Sequence, residues 1–365
     1  MFGVLSISDL ARATTVCRVW RNILAGVGST PAWTERIWKA AFAHRWPMAL
    51  ARTAGMIRTR STRGGAALTW RQRCVARGRT DENWRGGSCR QTPNLFTDDV
   101  VQCLDGDRVV ISPYGVGMRV VQLWPTFQEI AKLPIIHSRP CALVGPALTT
   151  ISARGNELKT WRIEDTRCMR IIRPEAGVGP FINVVADPLR VPTVWTCTRT
   201  GFLQIDLETG LRVSSFGNGW YANKIAVDGH ILASGFNDAQ EVWDTRSATL
   251  VQRRLVSAQQ CNHLSVDGER VMFASKWSDC HLWDLRFDSS QPVRRFNDTI
   301  WGAVAGGRVA VMTTEYLGNH RLDIYDRRGF GAPRATIPVL GPGRPIYMCM
   351  DTERIVSSRI VLDFV

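Results

Sequence analysis

The sequence predicts an all-β protein, a seven-bladed β-propeller preceded by a small α-helical segment. A short tag recurs along the chain: an apolar residue, one further residue, then Trp or a substitute, usually followed by Asp. Successive tags lie 37 to 44 residues apart. A period near 40 residues with four short strands per unit is typical of propeller blades. The seven tags end at Trp124, Trp161, Ile205-Asp206, Trp243-Asp244, Trp283-Asp284, Tyr325-Asp326 and Leu362-Asp363.

A second repeated pattern precedes the tags. Asp105-Gly106, Asp228-Gly229 and Asp267-Gly268 each separate two runs rich in β-branched residues, and Gly306-Gly307 holds the same place in another copy. An Asp-Gly pair between two such runs predicts a tight hairpin, because Gly accepts the positive φ that the turn needs. Each unit therefore reads strand, turn, strand, turn and tag-bearing strand.

These residues resemble WD-repeat proteins, and the resemblance covers roughly residues 90–365. Seven tags imply seven blades. The tags at Ile205-Asp206 and Leu362-Asp363 depart from the family pattern because they lack the aromatic residue. A large ring at a fixed place in each repeat is expected to fill the space between neighbouring sheets. That expectation applies to Trp124, Trp161, Trp243 and Trp283.

Blade closure is predicted from the last tag, which is followed only by Phe364-Val365. The seventh blade would then lack its outer strand, and propellers avoid such an exposed edge by taking a strand from the other end of the domain. The segment around Ser88 to Thr92 is the expected donor. The propeller is accordingly assigned to residues 84–365.

The N-terminal 50 residues are predicted to be helical, with apolar residues recurring at three and four positions between residues 9 and 24. Ser8-Asp9-Leu10 followed by residues 16–21 resembles the second half of an F-box. In that family the module binds the Skp-type adaptor of a cullin-based ubiquitin ligase. The resemblance implies adaptor contacts from Leu10, Val16, Cys17 and Trp20.

Residues 51–83 are interpreted as a basic linker containing a helix. The run from Leu68 to Cys74, followed by Asp81 to Gly87, resembles the helical linker between F-box and propeller in F-box/WD-repeat proteins. Family members carry a further helix and a Leu-Pro start, whereas only seven residues precede Ser8 here. Two interpretations follow: a truncated reading frame, or a degenerate module that binds its adaptor weakly.

Charge is distributed unevenly between the two parts. Residues 1–80 carry thirteen Arg and Lys39 against Asp9 and Glu35, a net charge of +12, while the remaining residues carry 32 basic and 30 acidic side chains, or +2. A basic N-terminal part suits an acidic partner, a nucleic acid or an import machinery. Codon bias is the competing explanation, since the chain has 41 Arg and 5 Lys.

No enzyme motif stands out in the sequence. It contains no Gly-rich phosphate loop between strand and helix, no G-x-S-x-G turn and no regular spacing among its six His, so we expect a non-enzyme without cofactor or metal. No apolar run is long enough to span a membrane. Ten Cys without a C-x-x-C pair fit reduced thiols in the cytoplasm or nucleus.

The substrate site is expected on the propeller rim. In F-box/WD-repeat receptors that bind phosphorylated degrons, an Arg lies seven residues before the Trp of a tag, and a guanidinium can fork onto phosphate oxygens. The alternative is that each such charge is merely a solvated loop residue. Aromatic residues outside the tags are either interface anchors or packing between blades. Arg154 and Lys276 hold that place before Trp161 and Trp283, and Arg199 holds it if Asp206, rather than Ile205, takes the Trp position. The further candidates are Arg139, at the entrance to blade two, and the aromatics Trp220, Tyr221, Trp277 and Trp301.

The resemblance as a whole implies a non-catalytic substrate receptor of an SCF-type ubiquitin ligase. It would bind an Skp-type adaptor and cullin through the N-terminal helices, and a protein substrate, phosphorylated or not, on the rim. The alternative is a WD-repeat interaction scaffold without ligase association. An RNA-associated propeller is the third class, disfavoured because the propeller is nearly neutral.

Overall fold

The computed structural model divides the chain into two compact units, Met1–Asn83 with Val365, and Trp84–Phe364. Helical residues described outside the sheets are Trp38, Lys39, Thr80, 82–84 and Gly86. The structure describes residues 38–39, 80, 82–84, 86–93, 99–105, 107–113, 117–123, 127–135, 140–190, 192–217, 222–235, 239–255, 261–268, 270–275, 279–287, 291–305, 307–314, 320–326, 331–339, 348–351, 354–357 and 360–364.

The second unit consists of seven four-stranded antiparallel sheets, each formed by a separate stretch of chain except the last. This confirms the predicted seven-bladed propeller. The strands of blades 1 to 4 follow one another in chain order. They are β2 Asp99–Asp105, β3 Arg108–Pro113, β4 Met118–Gln122 and β5 Gln128–Leu133; β6 Cys141–Val144, β7 Ala147–Ile151, β8 Leu158–Arg162 and β9 Cys168–Ile172; β10 Asn183–Ala186, β11 Thr193–Cys197, β12 Phe202–Asp206 and β13 Arg212–Phe216; β14 Lys224–Asp228, β15 Ile231–Gly235, β16 Ala239–Asp244 and β17 Thr249–Leu255.

Blades 5 and 6 repeat this order, and blade 7 combines three late strands with the first strand of the unit. The strands are β18 Cys261–Asp267, β19 Arg270–Ser275, β20 Asp279–Asp284 and β21 Arg294–Asn297; β22 Thr299–Ala305, β23 Arg308–Thr314, β24 His320–Tyr325 and β25 Ala335–Val339; β26 Met348–Met350, β27 Arg354–Ser357, β28 Ile360–Asp363 and β1 Arg90–Pro93. The first strand of every blade contacts the first strands of both neighbours, so these seven strands form the inner ring.

The predicted Asp-Gly hairpins join the first and second strands of their blades. In blade 4, Asp228 pairs with Ile231, which leaves a two-residue turn whose Gly229 has φ of 60°. Blade 5 repeats this geometry, with Asp267 paired to Arg270. Because a side chain is strained at such φ values, glycine at this turn explains why the pair recurs in the sequence.

The hydrophobic core is divided among the boundaries between blades. The described residues form seven clusters of buried apolar side chains, and each cluster joins the facing sheets of two adjacent blades. Trp283 is buried between blades 4 and 5, and the partly buried Trp161 and Trp243 pack against the clusters of blades 1–2 and 3–4. The packing role expected for these three rings is therefore confirmed, while Trp124 lies outside the described residues.

The ring closes as the sequence predicts. β1 pairs antiparallel with the tag strand β28 and completes the seventh sheet, with Arg90 opposite Asp363. Trp84, 1% exposed, stacks on Phe364 with ring centroids 3.6 Å apart. The guanidinium carbon of Arg308 also lies over the Trp84 ring, 4.9 Å from its centroid. Backbone pairing and a buried aromatic stack thus join the two ends of this unit.

Candidate recognition surface

The antiparallel sheets give the propeller two chemically different ends. The linkers between blades and the turns between second and third strands lie at one end, here called the loop end. The Asp-Gly hairpins and the turns that follow the tags lie at the other, here called the hairpin end. This assignment follows directly from the strand order within each sheet.

At the hairpin end, the carboxylates of Asp228, Asp267 and Asp284 bind groups of the chain itself. Asp228 accepts a hydrogen bond from the backbone N–H of Gly268 at 2.8 Å, and Asp267 accepts one from Gly307 in the next blade. The tag residue Asp284 is held by Arg286 and by the buried Arg270. Hydrogen bonds from Arg286 lower the pKa of Asp284. These acids serve the joints between and within blades.

Arg154 lies at the loop end, in the turn between β7 and β8. Ser152 Oγ donates to Asn156 Oδ1 at 2.8 Å and accepts from the N–H of Glu157 at 3.1 Å, which fixes the turn from both sides. Gly155 next to it has φ of 73° and accepts from the N–H of Phe181 at 2.7 Å. The Arg154 side chain is exposed and has no ion pair within the described part of the chain.

Arg199 occupies the corresponding turn of blade 3, between β11 and β12, and is also exposed. Its side chain lies against Gly179, where a Cβ would be 3.3 Å from that of Arg199. Thr200 Oγ1 donates to the carbonyl of Val178 at 3.1 Å. Both arginine turns therefore contact the same linker between blades 2 and 3, Arg154 through its neighbour Gly155 and Arg199 directly.

The acidic groups near Arg154 are engaged elsewhere. Glu157 pairs with Arg173 at 3.1 Å through one oxygen and with Lys159 at 3.2 Å through the other. Hydrogen bonds from Arg173 and then Lys159 lower the pKa of Glu157, so it stays ionised and committed to them. Glu175 in the linker pairs with Arg212 at 3.3 Å. The guanidinium of Arg154 is thus available to an anionic ligand.

Trp301 does not lie on the rim as expected. It is 2% exposed, its Nε1 donates to the carbonyl of Met348 in blade 7 at 3.0 Å, and its ring contacts His263 in blade 5. This placement corrects the assignment of Trp301 as a substrate anchor. Repeat alignment gave the signal: Trp301 and His263 hold the same place on the first strands of consecutive blades.

The other candidates fall outside the described residues. They are the residues expected on the rim, Arg139, Trp220, Tyr221, Lys276 and Trp277, and those expected to contact the adaptor, Leu10, Val16, Cys17 and Trp20. Sequence reasoning missed the linker residues Val178 and Gly179, whose contacts connect the two arginine turns. A Gly-x-Gly run between an outer strand and the next inner strand was the available signal.

The described residues hold no cluster of three or more His, Cys, Asp or Glu suited to a metal ion. Among them, no helix is long and apolar enough to cross a membrane. What the loop end offers chemically is charge and hydrogen-bond donors for recognition, presented on turns that glycine and serine contacts hold in place.

Comparison with solved structures identifies the fold independently. The chain is similar to the β-propeller domain of Cps50 (Swd1) from Myceliophteria thermophila, at 15% identity and a TM-score of 0.53, over 75% of this chain and all of that one. The computationally designed Ika8 protein is similar at 12% identity and a TM-score of 0.53, over 75% of this chain and 98% of that one. No family model and no curated protein matches the sequence. These likenesses establish a propeller fold.

Proposed function

We propose that this chain is a non-catalytic substrate receptor of an SCF-type ubiquitin ligase, which binds an acidic or phosphorylated segment of its substrate at the loop end. The propeller fold is typical of protein-interaction scaffolds, and that general role agrees with the fold found here. The ligase association rests on the resemblance of residues 8–24 and 68–87 to the F-box and linker of F-box/WD-repeat proteins.

The observation that carries the substrate site is the pair Arg154 and Arg199. Both are exposed, both stand on turns of neighbouring blades at the same end, and both turns contact one linker. Convergent guanidinium groups bind phosphate through charge-assisted hydrogen bonds, which are stronger than neutral ones. Phosphate on serine or threonine supplies the matching charge and acceptor oxygens.

The proposed mechanism is proximity. A receptor that holds substrate and ligase in one complex raises the effective concentration of one relative to the other, without contributing a reacting group. The rate of ubiquitin transfer then depends on how long the substrate stays on the loop end. Removing the proposed contact between Arg154 and the substrate would shorten that residence time.

Adaptor binding is tested by co-purifying the full chain with an Skp-type adaptor and its cullin. We expect retention of the adaptor, and its loss when Val16→Asp and Trp20→Ala change the apolar face of the predicted helix. Arg246→Ala, at the hairpin end, is the control and should retain the adaptor. If none of these proteins retains it, the chain is an interaction scaffold without ligase association.

Substrate binding is tested separately, with a library of phosphoserine and phosphothreonine peptides and its unphosphorylated counterpart. Removing one charge-assisted contact should weaken phosphopeptide binding roughly ten- to hundredfold in Arg154→Ala, Arg199→Ala or Lys276→Ala. Arg246→Ala is again the control, because Arg246 is exposed but already paired with Asp244 at 2.7 Å. Equal binding of both libraries would contradict the anion site.

A further inference from the structure

Two thiols meet at the joint between blades 1 and 2. Cys103 lies on β2 and Cys141 on β6, the inner strands of these blades, and their Sγ atoms are 3.6 Å apart. The two residues are 38 positions apart in the chain and belong to different sheets. Cys141 is a buried member of the hydrophobic cluster between the blades, and Cys103 packs against the same cluster. A covalent bond between these sulfurs would connect two separate sheets.

The register of the inner strands aims Cys103 across this joint. In blade 5 the equivalent residue is Ser265, which also lies two positions before the Asp of the first hairpin. Ser265 Oγ accepts a hydrogen bond from the backbone N–H of Val304 in blade 6 at 2.9 Å. The sulfur of Cys103 receives the corresponding hydrogen bond from the backbone of Leu143 in blade 2. The thiol of Cys103 therefore occupies a position that contacts the following blade.

Other buried thiols of the described chain contact backbone oxygens instead. Cys197 Sγ donates to the carbonyl of Ala222 at 3.3 Å, and Cys261 Sγ donates to that of His263 at 3.5 Å. Burial raises the pKa of each of these thiols to about 12. Cys103 differs from both because it is half-buried and its neighbour is a second thiol.

We propose that Cys103 and Cys141 form an oxidation site, at which hydrogen peroxide converts the two thiols into a disulfide that joins and stabilises blades 1 and 2. Cys103 reacts with the peroxide because it is half-buried and within reach of a molecule little larger than water. Cys141, 5% exposed, needs to reach only the sulfur of Cys103. Thiol exchange with a reductant reverses the bond, so the joint is covalent only under oxidising conditions.

The reaction has two steps. The thiolate of Cys103 attacks one oxygen of hydrogen peroxide, which breaks the O–O bond, forms a sulfenic acid and, with the proton of the thiol, releases one water. Cys141 Sγ then attacks the sulfur of the sulfenic acid, and the displaced hydroxyl leaves with the proton of Cys141 as a second water. The two thiols lose two electrons and two protons, and the peroxide that accepts them is reduced to water.

Forming the bond needs a modest movement and an ionised thiol. A disulfide bond is about 2.0 Å long, so the two sulfurs must approach by roughly 1.5 Å, which rotation about the Cα–Cβ bonds can supply. The hydrogen bond with Cys141, and then burial, raise the pKa of Cys103 well above its usual value. Because the thiolate is the nucleophile, oxidation is slow at neutral pH and faster in alkaline solution.

Cys349 supplies a matched comparison. It lies on β26 of blade 7, two residues before Asp351, which is the place that Cys103 has before Asp105. Cys349 is half-buried, as Cys103 is, and β2 contacts β26 as well as β6. Burial, and then the charge of Cys103, raise the pKa of Cys349 to about 12. Comparing Cys349 with Cys141 therefore tests whether sulfur contact, rather than exposure, selects the partner of Cys103.

The test treats the folded full chain with hydrogen peroxide at about pH 8, where more of the thiol is ionised. Remaining thiols are then blocked with N-ethylmaleimide in denaturant, and tryptic peptides are mapped without reduction. Each thiol falls in its own peptide: residues 91–108 contain Cys103, residues 133–154 contain Cys141 and residues 335–354 contain Cys349. We expect a covalent pair of 91–108 with 133–154 that dithiothreitol separates. Absence of this pair, or linkage of 91–108 to 335–354 instead, would overturn the proposal.

Two variants separate the roles of the thiols. Cys141→Ser should abolish the cross-link and leave Cys103 as a sulfenic acid that dimedone traps. Cys349→Ser should cross-link as the parent does. A cross-link to residues 91–108 that persists in Cys141→Ser would overturn the assignment.

The melting temperature gives a second measurement. A disulfide between residues 38 positions apart restricts the unfolded chain, so the cross-linked protein should melt about 2–6 °C higher and return to its original value on reduction. Cys349→Ser should show the same rise and Cys141→Ser none. An unchanged or lower melting temperature after complete cross-linking would overturn the stabilising role. Because these experiments use neither an adaptor nor a phosphopeptide, their outcome is independent of the proposed ligase function.

Discussion

The two ends of the propeller use charged residues in opposite ways. At the hairpin end, Asp228 and Asp267 bind backbone N–H groups of the following blade, and Asp284 is neutralised by its own blade. At the loop end, Arg154 stands on an ordered turn without an ion pair in the described chain. The difference separates groups that hold blades together from groups that remain available to a partner. Substitutions at the two ends should therefore be detected by different measurements.

Opening the ring should destabilise the whole propeller, including both ends. This change therefore has the largest expected effect on stability. Deleting residues 84–98 removes β1 and Trp84, exposing the edge of β28 and the ring of Phe364. Unpaired strands template association, so we expect loss of cooperative unfolding and aggregation on heating. Calorimetry and light scattering measure both. A soluble deletion variant with an unchanged melting transition would contradict the closure.

A single substitution tests the contribution of the aromatic stack alone. Trp84→Ala removes a fully buried ring and should lower the free energy of unfolding by about 3–5 kcal/mol, as other large core truncations do. Chemical denaturation of the full chain measures it.

The second prediction concerns the pH dependence of stability and the half-buried His263, near the loop end. Burial, and then the charge of Lys224, lower the pKa of His263 to about 4, although its Nδ1 bonds to the carbonyl of Gly302. The unfolded chain, with a pKa near 6.5, binds the proton first as pH falls. Stability is thus complete above pH 6.5 and falls by up to about 3 kcal/mol towards pH 4.

Denaturation between pH 7 and pH 4 checks this slope, and His263→Gln should flatten it. The tag carboxylates affect stability in a lower pH range. Hydrogen bonds from Arg246 lower the pKa of Asp244 to about 2, so stability from this pair is present above the ordinary Asp value and is lost between about pH 4 and 2. A slope between pH 6.5 and 4 that persists in His263→Gln would assign it to another group.

The third prediction compares the two ends directly. Asp267→Ala leaves the N–H of Gly307 without its acceptor and should cost about 1–3 kcal/mol of unfolding free energy. Arg154→Ala at the loop end should change it by less than about 0.5 kcal/mol. Denaturant titration of both variants in one buffer makes the comparison. Equal losses would mean that both ends contribute alike to stability.

The smallest expected effect on stability belongs to the double variant Arg154→Ala with Arg199→Ala. Its melting temperature should stay within about 1–2 °C of the parent, because exposed side chains away from buried networks contribute little. The same variant should lose phosphopeptide binding. Loss of stability without loss of binding would reverse the roles assigned to these arginines.

Most of the fold was predictable because it repeats. The tags fixed the number of blades, and the Asp-Gly pairs fixed the first hairpins, since both depend on local residue types. Both tags without an aromatic residue form blade strands, β12 and β28. In β12, Ile205 is buried, and Asp206 accepts from the N–H groups of Glu208 and Thr209. Closure by β1 was predictable from the unpaired edge.

The candidate site was less predictable, for identifiable reasons. Trp301 was assigned to the rim because it lies outside a tag. The bulge after Thr299 recurs before His263 in blade 5, so repeat alignment, rather than residue type, was the signal for its place on an inner strand. The bulge at Val251 likewise shifts the outer strand by one residue, which alternation alone misses.

The pairing of β1 with β28 also determines how late in synthesis the first strand can be paired. Arg90 pairs with Asp363, which is synthesised 273 residues later, so β1 has no neighbouring strand until then. At roughly 5–20 residues per second, that delay is on the order of 14–55 s. Throughout this interval a ribosome-bound chain carries an unsatisfied strand and an unburied Trp84 ahead of six blades able to form in sequence. Among the strands of this unit, β1 therefore stays without its partner strand longest during synthesis.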